Sequence, residues 1–114
     1  MLGFLKNLFN SPFESLDANA FGQAIEADKH AVVLDVRRPD EFRDGHLRKA
    51  RNLNVMSPDF AEQLQKLDKE KSYYVYCRSG ARSSSACSMM IQQGFSKVYN
   101  LSGGIMSWRG KLAK

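Results

Sequence analysis

The chain has 114 residues, 43% hydrophobic and 25% charged, with a formal net charge of +5. That length holds one domain around one sizeable core, and the composition is that of an ordinary globular fold rather than a disordered or fibrous one. The longest unbroken apolar run, Tyr73 to Cys77, is far too short to span a bilayer, so no transmembrane segment is expected.

Residues 1–14 read as an N-terminal extension. Leu2, Leu5, Leu8 and Phe9 recur at helical spacing, which predicts a short amphipathic helix. Lys6 and Asn7 interrupt the apolar stretch and no A-x-A-like site follows, so a secretory leader is not expected. Asp17 is placed to N-cap a helix through about Ala27, with Phe21, Ala24 and Ile25 on its apolar side. Ala31 to Val36 is a nearly continuous apolar run, the pattern of a strand buried on both faces of a parallel sheet. Pro39 to Phe42 predicts one helical turn ending near Gly45, and Arg51 to Val55 a short strand. Ser57-Pro58 signals a helix start, with Ser57 as N-cap and Pro58 at N1. Ser72 to Cys77 predicts a third strand. A helix opening at Arg82 or Ser83 and stopping at Gly94 follows, with Ala86, Cys87, Met89 and Met90 turned inward. Lys97 to Leu101 is a further strand, and Gly103-Gly104 turns the chain into a last helix bearing Ile105 and Trp108. Strands alternating with helices predict an α/β domain with a mainly parallel sheet, whose sites lie at the carboxyl ends of the strands.

Asp35, Arg37 and Cys77 all fall at or just past such ends. Cys77 heads the run Cys77-Arg78-Ser79-Gly80-Ala81-Arg82-Ser83, between an apolar aromatic strand and a helix. A thiol there meets the positive end of a helix, a cradle of backbone N–H groups and two guanidiniums, all of which favour the thiolate. Cys87, ten positions on and flanked by alanine and methionine, reads as a small core residue. His46 follows a turn glycine, and a thiolate needs no base, so it is not expected to act chemically.

The basic excess is concentrated between Arg37 and Arg51, where Arg37, Arg38, Arg43, Arg48, Lys49 and Arg51 outnumber Asp40, Glu41 and Asp44. This favours small anions or acidic partners. No aromatic-interleaved basic motif of a nucleic-acid module is present, so no nucleic-acid partner is expected. Two cysteines make no disulfide framework, which points to a reducing, cytoplasmic setting. The scattered cysteines and histidines have no metal-ligand spacing; neither metal nor cofactor is expected.

Three groups of residues together resemble the single-domain members of the rhodanese family. Leu34-Asp35-Val36-Arg37, Glu41-Phe42, Gly45-His46-Leu47 and Ala50-Arg51-Asn52-Leu53 are similar to its amino-terminal signature. Cys77 to Ser83 is similar to its active-site loop, and Gly103-Gly104-Ile105 with Trp108 to its carboxy-terminal signature. The resemblance implies a three-layer α/β/α domain over residues 15–114 with a mainly parallel sheet of about five strands. It also implies a thiosulfate sulfurtransferase: Cys77 takes the outer sulfur of a donor such as thiosulfate and passes it, as a persulfide, to cyanide or a thiol. The amides of Arg78, Ser79, Gly80, Ala81, Arg82 and Ser83 would hold the sulfur, and Arg78 or Arg82 would pair with the donor. Gly80 would let the loop curl close to it. On the residues themselves, Asp35 and Arg37 could be catalytic, but the reading favoured is that they hydrogen-bond to hold the strand end and the Cys77 loop, with Glu41 in the same scaffold of charges.

Cys77 and Arg82 make C-x4-R, one residue shorter than the C-x5-R loop of related phosphatases, and better sized for one sulfur than for a phosphate. The other readings open on this scaffold are a persulfide carrier in a protein sulfur relay and a non-enzymatic interaction module. In one place the chain departs from the family: Arg48-Lys49-Ala50 stands where Pro-Gly-Ala is common. If that position needs positive φ, Lys49 carries a backbone cost.

Overall fold

The structure, a computed structural model, describes residues 13–114. The amphipathic helix expected at Leu2 to Phe9 lies outside them. The strands are β1 (Glu14–Leu16), β2 (Ala31–Asp35), β3 (His46–Leu47), β4 (Arg51–Asn52), β5 (Ser72–Tyr76), β6 (Val98–Leu101) and β7 (Leu112–Ala113). The helices are α1 (Ala18–Ala27), α2 (Pro39–Asp44), α3 (Phe60–Gln65) and α4 (Ala81–Gln92), with a 3-10 turn at Ile105–Ser107.

Five strands form one sheet in the order β1-β6-β5-β2-β4, every pairing parallel. β5 lies at its centre with all five residues buried. Side chains alternate across a strand, and the core divides accordingly. Leu34, Tyr73, Val75 and Cys77 join Phe60 and Leu64 of α3 and Ala86, Cys87 and Met90 of α4. Val33, Tyr74 and Tyr76 turn the other way, onto Phe21 of α1, Leu47 and Leu101. Two helical layers sandwich the sheet, the expected three-layer α/β/α fold.

Local signals hold at most element ends. The Asp17 carboxylate accepts the Ala20 N–H at 2.9 Å and starts α1. Pro39 opens α2, and Glu41 reaches back to accept the Arg38 backbone N–H at 3.0 Å. Four expectations need correction. Ser57 does not cap α3: its hydroxyl donates to the Asp59 carboxylate and its carbonyl accepts the Phe60 N–H. A tight turn thus absorbs Ser57 and Pro58, and Asp59 becomes the N-cap. β4 stops at Asn52 because its register with β2 breaks there: Leu53 donates to the Asp35 carbonyl but Val55 to that of Val36, and the Asn54 side chain between them accepts the Met56 N–H. Helix α4 starts one residue early, at Ala81, with left-handed Gly80 as its cap. The last helix is only a 3-10 turn, since Ser107 bonds back to the Gly104 and Ser102 carbonyls and Trp108 is extended. Trp108 instead packs edge-on against Phe21, ring centroids 6.2 Å apart.

Two features carry almost no sequence signal. β1 is a three-residue edge strand on β6. β3 and β7 form a two-residue antiparallel ribbon that closes the chain's end over Leu47.

Lys49 is the one non-glycine residue with positive φ, at 65°, among those described. The L side chain there costs about 1–2 kcal/mol, and glycine gives back about 0.5–1 kcal/mol as extra unfolded-chain entropy. Lys49→Gly should therefore raise stability by about 0.5–1 kcal/mol, read as a higher urea midpoint with an unchanged denaturant slope.

Candidate active site

Cys77 follows directly on β5 and is 1% exposed. Three consequences of the local sequence fix its sulfur. Gly80 adopts φ 114°, which curls the loop so that its own N–H donates to Cys77 Sγ at 3.1 Å. The Ser83 hydroxyl lies 3.3 Å from Sγ and 3.1 Å from the Gly80 carbonyl oxygen. Helix α4 then runs away from the loop for 12 residues, directing its positive end at the sulfur. Burial by itself would push the thiol up. The Ser83 hydroxyl and the N–H groups of Ser83, Gly80 and Ser79 outweigh it, and Cys77 is held below its ordinary value.

The carboxy-terminal turn locks this loop from the other side. Ile105 donates its N–H to the Cys77 carbonyl at 2.9 Å, and Met106 donates to the Arg78 carbonyl at 3.2 Å. A Cβ on Gly104, at φ 62°, would sit 2.2 Å from the Arg78 carbonyl oxygen, so only glycine fits. The Gly103-Gly104 motif is thus a close backbone approach to the cysteine loop.

The expected charges separate into two groups. Arg82 and Glu41 form a bidentate pair at 2.8 and 3.0 Å, tying α2 to the cysteine loop. The Arg82 guanidinium holds Glu41 at about 2 despite its partial burial, and Arg82 is pushed up in return. Asp35 and Arg37 are buried and paired at 2.7 Å, with Arg37 also donating to the Gly45 carbonyl at 2.6 Å. They hold β2 to the end of α2, and no hydrogen bond or ion pair joins them to Cys77 or its loop. Asp35 and Arg37 thus make an internal strut and Glu41 a direct brace on the loop, separate in their hydrogen bonds but linked by charge, Glu41 acting on Arg37 and Asp35 on Arg82. Asn52 completes the strut, donating to the Asp35 and Arg37 carbonyls at 3.0 and 2.9 Å. Asn52 follows the basic stretch Arg48-Lys49-Ala50-Arg51, and nothing in that local sequence marks this role.

Arg78 is exposed and, among the described residues, is in no ion pair. Ser79 and Ala81 turn their side chains to solvent and contribute backbone only. His46 is occupied structurally: Nδ1 lies 2.8 Å from the Phe42 carbonyl and the ring stacks on Phe42 at 3.7 Å. Cys87 is fully buried, its thiol pushed up by burial. Both cysteines are free. Among the described residues no group of side chains has the make-up of a metal site, and no helix is long and apolar enough to cross a membrane.

Two measurements probe this geometry. Ser83→Ala removes the strongest interaction favouring the thiolate, so the pH midpoint of Cys77 alkylation by iodoacetamide should move upward. The Glu41 carboxyl is depressed from 4.5 to about 2 on folding. Its stabilisation is therefore complete above pH 4.5 and lost as pH falls toward about 2. Urea midpoints of wild type and Glu41→Gln should differ at pH 7 and converge through that acid window.

The family model for the rhodanese-like domain matches residues 17–111. YtwF of Bacillus subtilis is 36% identical over 98 residues, covering 86% of this chain and 92% of its own. The thiosulfate sulfurtransferase GlpE of Coxiella burnetii is 37% identical over 78 residues, covering 68% of this chain and 71% of its own. Among solved structures, a rhodanese-related protein from Thermoplasma volcanium superposes with a TM-score of 0.73 at 32% identity, over 84% of this chain and 90% of that one. The buried thiol in its loop of N–H groups thus sits in a chain that belongs to the rhodanese-like domain family, with sulfurtransferases among its relatives.

Proposed function

We propose that the protein moves a sulfane sulfur from a thiosulfate-type donor to cyanide or a thiol through a persulfide on Cys77. The Cys77 thiolate attacks the outer sulfur of thiosulfate. The bond between the two donor sulfurs breaks, and its electron pair leaves with sulfite. The terminal sulfur of the persulfide is then attacked by cyanide or a thiolate, giving thiocyanate or a new persulfide and returning the Cys77 thiolate. No external oxidant or reductant is consumed.

The observation that carries this reading is the thiol held below its ordinary value inside a loop whose N–H groups point at it. The same N–H groups, from Arg78 to Ser83, would hold the added sulfur as an anion. Arg78, exposed and in no ion pair among the described residues, is suited to meet the sulfonate end of the donor. Arg82, braced by Glu41, would keep the loop in shape. Asp35 and Arg37 would act at one remove, through the strand end. Residues 15–114 form the working unit, and two free cysteines suit a reducing cytoplasm. A carrier would differ only after loading, handing its one stored sulfur on by contact with a partner thiol.

Thiosulfate treatment without reductant should add one sulfur to wild type and to Cys87→Ala, and none to Cys77→Ala, by intact-protein mass spectrometry. Cyanide should discharge it as thiocyanate. Parallel double-reciprocal plots under steady state would identify an enzyme, and a single discharge without turnover a carrier. Absence of added sulfur from both thiosulfate and polysulfide would overturn the persulfide reading.

A further inference from the structure

Among the described residues no hydrogen bond or ion pair joins Arg48 or Lys49 to Cys77 or its loop. The two border a cleft on the opposite face of the sheet. Two clefts of about 710 and 600 Å³ adjoin there, sharing Gly22, Glu26, Trp108 and Gly110. Both volumes lie within the usual span for small-ligand sites, about 300–1,000 Å³. Neither is lined by Cys77 or its loop.

The second cleft has two chemically distinct parts. Its floor is apolar, made by Ile25, Val33, Leu47 and Trp108. Its rim carries Arg48, Lys49 and Lys111 against a single acid, Glu26. All three cations are exposed, and among the described residues none is in an ion pair. Lys49 keeps its place at φ 65°, a strained backbone that glycine would relieve. Gly22 opens the indole on its own side, since a Cβ there would sit 3.1 Å from the Trp108 ring.

We propose that this cleft binds an amphipathic organic anion, its apolar chain or ring lying on Ile25, Leu47 and the Trp108 indole and its carboxylate-type head held by Lys49, Lys111 and Arg48. The charge balance selects the class: three unneutralised cations to one acid repel a cationic ligand and leave a neutral one without a partner for the rim. Concavity selects a small molecule over a protein surface, which would need about 800 Å² of matching area per partner.

Trp108 is the single tryptophan of the chain, so its fluorescence reports the cleft directly. Decanoate, below its micellar range, should produce a saturable change in Trp108 emission that weakens as salt is added. The Lys49→Gly/Lys111→Ala double variant should bind about tenfold more weakly. It removes two exposed side chains and relieves the strained φ, so a circular dichroism melt should show it folded. Cys77→Ala should bind as wild type does, which separates this site from the cysteine loop whatever the outcome of sulfur loading. No saturable change, equal affinity in the double variant, equal affinity for decan-1-ol, or loss of binding in Cys77→Ala would each overturn the proposal.

Discussion

The structure depends on keeping an acidified thiol inside a protein core. Cys77 is 1% exposed, and burial opposes ionisation. A buried ion loses several kcal/mol of hydration. A hydrogen bond to a charged group returns about 1.5–3 kcal/mol, so one donor is insufficient and two or more are needed. The chain supplies them within six residues of the sulfur: the Gly80 N–H, the Ser83 hydroxyl and the N–H groups of Ser79 and Ser83. Preorganised donors of this kind are useful because they cost nothing to reorient when charge moves onto a neighbouring sulfur.

Such a loop cannot hold its shape alone. A run of N–H groups aimed inward leaves carbonyls aimed elsewhere, and each needs a partner. The Cys77 and Arg78 carbonyls are met by Ile105 and Met106, which is possible only because Gly104 lets two backbones touch. On the other flank the Arg82–Glu41 pair fastens the first turn of α4 to α2. The pair is bidentate and partly buried, and α2 is itself anchored by the Arg37–Gly45 bond. Three signatures far apart in sequence therefore converge on one loop because each supplies a different kind of constraint.

Much of this was legible from the residues. The strand-to-helix switch at Cys77, the cap at Asp17, the helical turn opening at Pro39 and the core role of Cys87 all follow from local pattern, and local chemistry decides them. The errors fall where a competing partner intervenes. Ser57 had an ordinary N-cap sequence, but its hydroxyl found the Asp59 carboxylate instead. Gly103-Gly104 reads as a turn into a helix, yet Ser107 bonds back to it and leaves only a 3-10 turn. Asp35, Arg37 and Glu41 look like one cluster by spacing. Their split follows from which element each side chain faces, and spacing does not encode that. β1 and the β3–β7 ribbon are too short for any periodicity, since their pairing comes from tertiary placement.

The alternation of β5 explains why one small domain can present two unlike surfaces. Cys77 follows Tyr76, and successive side chains point to opposite faces, so the sulfur belongs to the α3–α4 core while Tyr76 belongs to the α1 core. The Tyr76 hydroxyl accepts the Leu47 N–H at 3.0 Å and so fixes the segment that carries Arg48 and Lys49. That segment borders the α1 side of the sheet, where Val33, Leu47 and Trp108 line the cleft, and makes no hydrogen bond to the Cys77 sulfur. Cys77, Gly80 and Ser83 are held by hydrogen bonds at the sulfur and Arg82 by Glu41, while the Arg48 and Lys49 side chains stand exposed on the other face.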